Sequence, residues 1–191
     1  MAKLTDFMVS RVRAKLVKLF LSQSGQMFYV REITRAVKEE INAVRRELGR
    51  MQDKGMVKSE TRGNRLYYTF KESYPFYADL LSIVAKTNGL GKEILDNRSK
   101  LGFVKFAFVS TRFIKRLPKK PDTVDLFLVG KIIVPQVNII AKDAEKEYGA
   151  EVNYSCMTEE EFSYRLQRKD PFISSILKEP RIMIIGDDTD F

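Results

Sequence analysis

The sequence predicts an α+β chain in two parts, and three observations support this fold class. Residues 1–74 show amphipathic helical patterns followed by a short hairpin pattern. Residues 102–191 alternate strand-like and helical runs, which is typical of a mixed sheet flanked by helices. Between them, residues 75–101 have the pattern of connecting helices. A chain of 191 residues has room for two small domains of this kind.

The positive charge is concentrated in the first part. The formal net charge is +9, and residues 1–74 hold 16 Lys and Arg against 8 Asp and Glu, a net charge of +8. Residues 75–191 therefore contribute almost none of the excess. A strongly basic half predicts a polyanionic partner for that half.

The composition excludes several classes of chemistry. The chain contains no histidine, which rules out Ser-His-Asp and Cys-His catalysis and His-ligated zinc. Cys156 is the single cysteine, so no intramolecular disulfide forms, and its strand-like surroundings predict a buried, small apolar residue. The apolar run Leu16–Leu21 is too short for a signal peptide or a membrane helix. We therefore expect a cytoplasmic protein without a membrane partner.

A second amphipathic helix, predicted over about Glu40–Lys54, divides into an apolar face and a basic face. The apolar positions recur at steps of three and four residues and are Ile41, Val44, Leu48 and Met51. The opposite face carries polar residues suited to base edges and phosphates in a major groove, namely Asn42, Arg46, Gly49 and Arg50, with Arg45 on the flank. Gly55 suits the left-handed residue that ends a helix. The alternative for this helix alone is an ordinary solvated basic face.

A basic hairpin follows this helix. Two short strands, Val57–Glu60 and Leu66–Phe70, flank a Gly63-Asn64 turn, because both turn residues tolerate positive φ. Arg62 and Arg65 lie on either side of that turn, where they suit phosphate or minor-groove contacts. Helix, turn, second helix and basic hairpin in this order predict a winged helix-turn-helix.

The other N-terminal elements follow from the same patterns. We predict a first helix over about 5–22 and a short strand at Met27–Tyr29 that pairs with the hairpin. A helix at Val30–Val37 follows, with Ile33 and Val37 directed inward.

The connecting segment is predicted to contain two helices. Pro75 suits a first helical turn, so the first helix is placed at Pro75–Lys86, with Gly89-Leu90-Gly91 as its stop and a second helix over about Lys92–Leu101. The first of these helices has apolar residues on more than one face. This width predicts that it packs against two neighbours, one of them a second subunit of a homodimer.

The C-terminal part is predicted to contain buried strands at Phe103–Ser110 and Thr123–Val129 joined by the loop Thr111–Asp122. The later elements are a helix at Val134–Tyr148, a strand at Glu151–Met157, a Thr158-capped helix ending near Lys169, a helix at Pro171–Leu177 and a strand at Arg181–Ile185. The first loop is basic and is either a solvated loop or an anion site; its cationic residues are Arg112, Lys115, Arg116, Lys119 and Lys120.

Four stretches together resemble a known two-domain family. They are YPFYADLLSIVAKTNGLGKEIL, VDLFLVG, YGAEVNYSCMTEEEFSYRL and DPFISSILKEPRIMIIGDD. The chain is similar, over almost its whole length, to prokaryotic transcriptional regulators in which a winged helix is fused to a minimal nucleotidyltransferase-like domain. This resemblance implies a fold of the DNA polymerase β type from about residue 100 onward.

The resemblance also defines where this sequence departs from active members of that superfamily. Those enzymes carry Gly-Ser at the end of the first strand and two Asp on the second, to hold nucleotide phosphates and Mg²⁺. Here Ser110 matches the Ser, but Val109 replaces the Gly; Asp125 matches the second Asp, but Thr123 replaces the first. Asn153 lies near the expected position of a third carboxylate. We expect no transferase activity, metal or cofactor, and the alternative roles of Ser110 and Asp125 are hydrogen bonds within their loops.

A weakened anion or nucleotide site remains compatible with these residues. Its candidates are Ser110, Lys115, Arg116 and Asp125. Anion attraction by Lys and Arg requires no metal.

The favoured functional hypothesis is a sequence-specific transcriptional regulator that binds double-stranded DNA as a homodimer. Its candidate DNA-binding residues are Asn42, Arg45, Arg46, Arg50, Arg62 and Arg65. The C-terminal domain would serve in dimerisation, ligand sensing or partner contact. Two alternatives stay open, an active nucleotidyltransferase that modifies a protein or RNA and is targeted by the winged helix, and an antitoxin-like partner protein.

Overall fold

The computed structural model describes residues 8–118 and 123–190 and places them in two compact units. The first unit is Met1–Val84 and the second is Ala85–Phe191. Both units combine helices with a β-sheet, so the predicted α+β class is confirmed. No helix among the described residues is long and apolar enough to cross a membrane.

The first unit has three helices and a three-stranded antiparallel sheet within its described residues, ahead of a helix at the division between the units. In chain order the elements are α1 (Arg11–Ser22), β1 (Phe28–Tyr29), α2 (Val30–Val37), α3 (Ile41–Asp53), β2 (Val57–Arg62) and β3 (Arg65–Phe70). The sheet order is β1-β3-β2, with both pairs antiparallel. The short strand before α2 therefore pairs with the hairpin, as predicted.

The core of the first unit is built from the apolar faces of the three helices and the inner side of the hairpin. Its buried residues include Leu16, Val17, Phe20, Leu21, Ile33, Val37, Val44, Leu48, Met51, Val57 and Phe70. The Phe20 ring lies 5.9 Å from Phe28 and 6.4 Å from Phe70, so α1 is joined to both β1 and β3 by aromatic contacts. Ile33 and Val37 face inward as predicted, whereas Ile41 is only half-buried.

Two carboxylates tie α1 to the α2–α3 region. Glu39 accepts from Lys15 Nζ at 2.6 Å and from Arg11 Nη2 at 3.0 Å, and the Lys15 hydrogen bond is the main reason that the pKa of Glu39 is lowered. Glu47 is buried on α3 and accepts from Arg13 Nε at 2.5 Å. Three cationic side chains of α1 are therefore used inside the unit.

Two predicted helix starts in this region are wrong. The first helix begins at Arg11 rather than near residue 5, because Ser10 is its N-cap and accepts a hydrogen bond from Arg13 N at 3.2 Å. Residues 5–7 of the predicted helix lie outside the described residues. The helix α4 spans Tyr77–Thr87 and does not begin at Pro75, because residues 71–77 form successive turns before it.

The second unit contains a four-stranded mixed sheet with helices in its connections. After α4 the elements are α5 (Gly89–Asp96), a 3₁₀ turn (Arg98–Lys100), β4 (Gly102–Ser110), α6 (Thr111–Ile114), β5 (Leu126–Ile132), α7 (Val134–Tyr148), β6 (Tyr154–Met157), α8 (Glu159–Gln167), α9 (Pro171–Lys178), β7 (Arg181–Ile185) and a 3₁₀ turn (Asp188–Asp190). The strand order is β6-β5-β4-β7; β5 and β6 are parallel, and the other pairs are antiparallel. The mixed sheet and the helices α7 and α9 agree with prediction.

The sheet of the second unit is covered by an aromatic cluster. The Phe106 ring lies 5.1 Å from Phe162, and Phe108 lies 5.2 Å from Phe127, so β4, β5 and α8 share one core. Continuous burial along β4 explains why Phe106–Val109 are all apolar without alternation. Phe103, at the start of the strand, is 62% exposed.

The predicted stop at Gly89-Leu90-Gly91 is wrong, because these residues form the first turn of α5 after a break at Asn88. A Cβ atom at Gly91 would lie 2.3 Å from the Ala85 carbonyl oxygen and 2.8 Å from Ile184 Cδ1. Glycine is therefore required there by close packing and not by a turn. The predicted helix Lys92–Leu101 correspondingly ends at Asp96.

Three further C-terminal boundaries differ from prediction. The loop after β4 opens with the helical turn α6, and β5 and β6 each begin three residues later than predicted. Both strands are preceded by a loop–loop contact in which Asp125 N donates to the Asn153 carbonyl at 2.7 Å. Lys119, Lys120 and the end of the predicted loop lie outside the described residues.

Cys156 on β6 is half-buried, whereas the sequence predicted a buried residue. Burial raises the pKa of its thiol to about 11. A thiol with this pKa is almost entirely protonated at neutral pH, which agrees with a packing role.

We expect Glu47→Ala to destabilise the protein by about 1–3 kcal/mol, because it leaves the Arg13 guanidinium without its buried acceptor. The matched control is Glu60→Ala, which breaks an exposed pair with Arg62 and should destabilise the protein clearly less than Glu47→Ala does. Urea unfolding followed by circular dichroism measures both changes. Equal losses in the two variants would contradict the structural role of Glu47.

Candidate nucleic-acid interface

Helix α3 presents a polar face formed by the residues that the sequence predicted. Asn42, Arg45, Arg46 and Arg50 are all exposed, and Val44, Leu48 and Met51 on the other side are buried. Glu40 caps the helix by accepting from Ala43 N at 2.9 Å. The backbone hydrogen bond from Asn42 is the main cause that lowers the pKa of Glu40. The helix ends as predicted, with Gly55 at φ +71°.

The turn before α3 is short and closely defined. Lys38 ends α2 in the left-handed region with φ +51°, and α3 begins at Ile41. The two carboxylates of this turn already have partners within the unit. Glu39 binds Arg11 and Lys15, and Glu40 caps α3. The cationic residues of α3 are therefore not neutralised by Glu39.

The hairpin tip has the register that the sequence predicted. Arg62 pairs with Arg65 across the Gly63-Asn64 turn. Only Gly63 has positive φ, at +61°, and Asn64 does not, which is typical of a type II′ turn with glycine in its first central position. Of the two turn residues that tolerate positive φ, only Gly63 uses it.

The two hairpin arginines have different partners. Arg62 Nε lies 2.9 Å from Glu60 Oε1, and this hydrogen bond raises the pKa of Arg62. The Arg65 guanidinium instead lies 4.8 Å from the centre of the Tyr29 ring, a cation–π distance. Tyr29 is itself held against Tyr67 on β3, with ring centres 5.8 Å apart.

A basic groove of about 620 Å³ lies between α2, α3 and the hairpin. Its lining residues are Tyr29, Val30, Arg31, Arg35, Arg45, Asn64, Arg65, Leu66 and Tyr68. The groove is concave, and four guanidinium groups converge on it. We refer to it below as the basic groove.

None of the four arginines of the basic groove forms an ion pair with a carboxylate in the part of the chain that the structure describes. Arg35 Nη2 donates to the Tyr29 hydroxyl at 3.2 Å, and Arg65 lies over the ring of the same tyrosine. Burial raises the pKa of Tyr68, and the charge of Arg45 acts in the opposite direction. The groove therefore carries a local excess of positive charge on positioned side chains.

The structure brings together some of the predicted DNA-binding residues and separates others. Arg45 and Arg65 line the basic groove, whereas Asn42 and Arg46 lie on the exposed face of α3 beside it. Arg50 and Arg62 lie outside the lining; Arg50 Nη1 is 3.5 Å from Glu47 Oε2.

Sequence reasoning missed Arg31 and Arg35. They are four residues apart on α2, and at 100° per residue they point away from its buried residues Ile33 and Val37. That spacing was the signal that could have identified a second basic helix face.

The candidate nucleotide residues of the second unit are engaged within their own loops. Ser110 Oγ accepts from Arg112 N at 3.2 Å and so caps α6. Asp125 is 2% exposed, and its Oδ2 accepts from Asn153 N at 3.0 Å. Both contacts are the loop roles weighed above. Val109 is buried in the sheet beside Leu126 and Ile182.

A small cavity of about 130 Å³ adjoins these loops. Its lining residues are Arg112, Phe113, Arg116, Leu117, Pro118, Thr123, Asp125, Tyr148 and Ala150. It therefore unites Arg116 and Asp125 but not Ser110 or Lys115. The Arg116 guanidinium lies 4.9 Å from the Tyr148 ring centre, and burial raises the pKa of Tyr148.

Acidic ligands for a metal do not converge among the described residues of either unit. Among residues 8–118 and 123–190, no group of three or more His, Cys, Asp or Glu comes together in a way that could hold a metal ion. Thr123 contributes its carbonyl oxygen to Asn153 Nδ2 at 3.2 Å.

Comparison with known proteins gives no match to a family model, to a curated protein or to a solved structure.

We expect Asp125→Ala to destabilise the protein by about 1–3 kcal/mol, because the Asn153 N–H then loses its buried acceptor. Asp143→Ala is the matched control, since Asp143 makes an exposed pair with Lys146 and should cost less than about 1 kcal/mol. Urea unfolding of both variants checks this. An unchanged free energy of unfolding in Asp125→Ala would show that the carboxylate does not stabilise the loop.

Proposed function

We propose that this protein is a sequence-specific DNA-binding transcriptional regulator and that its first unit is a winged helix-turn-helix. The observation that carries the proposal is the basic groove, in which Arg31, Arg35, Arg45 and Arg65 converge without carboxylate partners among the described residues. The order of helices, the short strand paired with the hairpin and the β1-β3-β2 sheet also support it.

In this proposal α3 is the recognition helix and enters the major groove. Asn42 and Arg46 are exposed near its N-terminal half, where recognition helices contact base edges. Asn suits the donor and acceptor pattern of adenine, and Arg suits that of guanine. These two side chains are our candidates for reading sequence.

The arginines of the basic groove bind the phosphate backbone beside α3. Their four charges come from three separate elements, α2, α3 and the hairpin. A phosphate strand running along the groove would meet all of them, and each neutralised phosphate releases counterions. These phosphate contacts supply affinity and fix the position of the protein on the duplex, whereas base contacts supply specificity.

The hairpin is proposed as the wing. Tyr29 holds the Arg65 guanidinium over its ring, so this side chain is positioned before binding and loses less freedom on contact with phosphate. Leu66 beside it is 40% exposed, which suits an apolar contact with sugar or a base edge.

We propose that the second unit serves in dimerisation, ligand sensing or partner contact and does not transfer nucleotides. Support comes from the contacts of the residues that would have to act. Asp125 accepts from a loop N–H, Ser110 caps α6, and Thr123 brings no charge to the position of a first carboxylate.

We also propose a homodimer, in which two recognition helices read two half-sites. A single winged helix makes few base contacts, and duplication multiplies specificity. Phe76, just before α4, is 61% exposed, and Leu80 and Ile83 on α4 are half-buried, which leaves apolar surface for a partner.

The hairpin provides a matched pair of variants for the DNA-binding proposal. We expect Arg65→Ala to weaken duplex binding by about 1–3 kcal/mol and to reduce the slope of log K against log salt by about 1. Arg62→Ala removes the same charge from the residue that pairs with Arg65 across the turn but does not line the basic groove, and the ion pair of Arg62 with Glu60 predicts a clearly smaller loss of affinity. Fluorescence anisotropy with a labelled duplex at several salt concentrations measures both.

The proposal has a further control in Lys18→Ala, because Lys18 is exposed on α1, which contributes no residue to the lining of the basic groove. This variant should bind like the wild type. Binding of the wild-type protein that does not change with salt would refute the proposal, and so would equal losses for Arg62 and Arg65.

For the homodimer we expect a mass of twice 22.1 kDa by light scattering at tens of micromolar protein. Phe76→Ser should shift the protein toward monomer, because it removes an exposed aromatic ring from the surface assigned to the partner. A monomeric wild-type protein at these concentrations would contradict this part of the proposal.

A further inference from the structure

Gly49 lies in the interior of α3, where glycine is costly for a helix. A glycine there destabilises a helix relative to alanine, because its backbone is freer in the unfolded chain. Its φ is not positive, and a Cβ atom added to it would meet no heavy atom within 4 Å outside the backbone of its own helix. Neither the backbone conformation nor the packing of this chain requires glycine at this position.

The place of Gly49 on the helix indicates what the missing side chain makes room for. At 100° per residue, Gly49 lies between Arg45 and Arg46 around the helix axis and one turn further along the helix. Its direction from the axis is also close to that of Asn42. It is therefore central in the exposed polar stripe of α3. The positions beside it carry long side chains, and Gly49 is a gap among them.

We propose that Gly49 is the point where the backbone of α3 approaches double-stranded DNA most closely, and that it sets how deep the helix lies in the major groove. This inference rests on the proposed function. With no Cβ at residue 49, the helix axis can move closer to the bases than any other residue would allow. Arg46 and Asn42 then reach base edges without being fully extended.

Charge favours DNA over a second copy of this chain as the occupant of this stripe. Arg45 and Arg46 flank the position, and Arg50 follows it, so the same face of another protomer would bring like charges together. A polyanion is attracted by the same side chains. Asp53, one turn further along the stripe, would repel phosphate, so the close approach is placed at Gly49 and not nearer the C-terminus of α3.

The test uses the full chain with Gly49→Ala and Gly49→Leu, and a duplex that the wild-type protein has enriched from a randomised library. We expect the loss of affinity to grow with side-chain size and to reach about ten- to a hundredfold for leucine, the range of overpacking costs. The same Ala substitution should raise the melting temperature by about 2–4 °C, because it removes a glycine from a helix. Weaker binding by a more stable protein is not expected from misfolding.

Ser163→Leu is the matched control, because it places the same leucine side chain at an exposed position of α8 and should leave DNA binding unchanged. Unchanged affinity of both Gly49 variants for a duplex that the wild type binds would overturn this inference and leave the proposed function in place. Failure of the wild type to enrich any duplex would instead remove the proposed function. Loss of dimer mass in the Gly49→Leu variant, with DNA affinity retained, would assign the stripe to a second copy of the chain.

Discussion

The pairing of Glu39 and Glu47 with cations of α1 determines how charge is distributed in the first unit. Arg11, Arg13 and Lys15 give α1 a basic side, but these two carboxylates bind all three. Their positive charge is used to hold α1 against the α2–α3 region. Among the cations outside these pairs, four arginines of α2, α3 and the hairpin line the basic groove. A net charge of +8 alone would not have indicated this division.

The same interaction links stability to the proposed interface. Glu47 lies on α3 with 4% of its side chain exposed, among the residues that fix the buried side of the helix. Arg13 therefore helps to hold α3 from behind, while Asn42, Arg45 and Arg46 face outward. A helix that inserts into a DNA groove needs support of this kind, because base contacts depend on its rotation about its own axis.

Local patterns predicted much of the fold because the elements concerned carry strong periodicity and clear caps. The bounds of α2, α7 and β7 were predicted to the residue. Predictions failed where a glycine or proline was interpreted locally but serves packing over a longer range. Gly91 has room only for a hydrogen beside Ile184 on β7, more than ninety residues later in the chain, and no local rule includes that contact.

The sequence predicts which candidate DNA-binding residues are exposed, but it does not predict which side chains they contact. Periodicity on α3 identified which arginines face outward. It could not show that Arg50 lies near Glu47 or that Arg62 pairs with Glu60, since both depend on side-chain conformation. Arg31 and Arg35 line the same groove as Arg45 and Arg65 only because α2 lies beside α3 and the hairpin. Which side chains from separate elements meet in one groove depends on how those elements pack in three dimensions.

The basic groove and the cavity beside Asp125 differ in volume and in the charge of their lining residues. The basic groove encloses about 620 Å³ and is lined by four arginines, whereas the cavity beside Asp125 encloses about 130 Å³ and has a carboxylate in its wall. Pockets that hold drug-sized ligands are typically about 300–1,000 Å³, so the smaller space, as the described residues bound it, does not suit a nucleoside triphosphate. Asp125 would also repel phosphate unless a cation stood between them. Around the two cavities, as the described residues line them, the larger group of cationic side chains is therefore the one in the first unit.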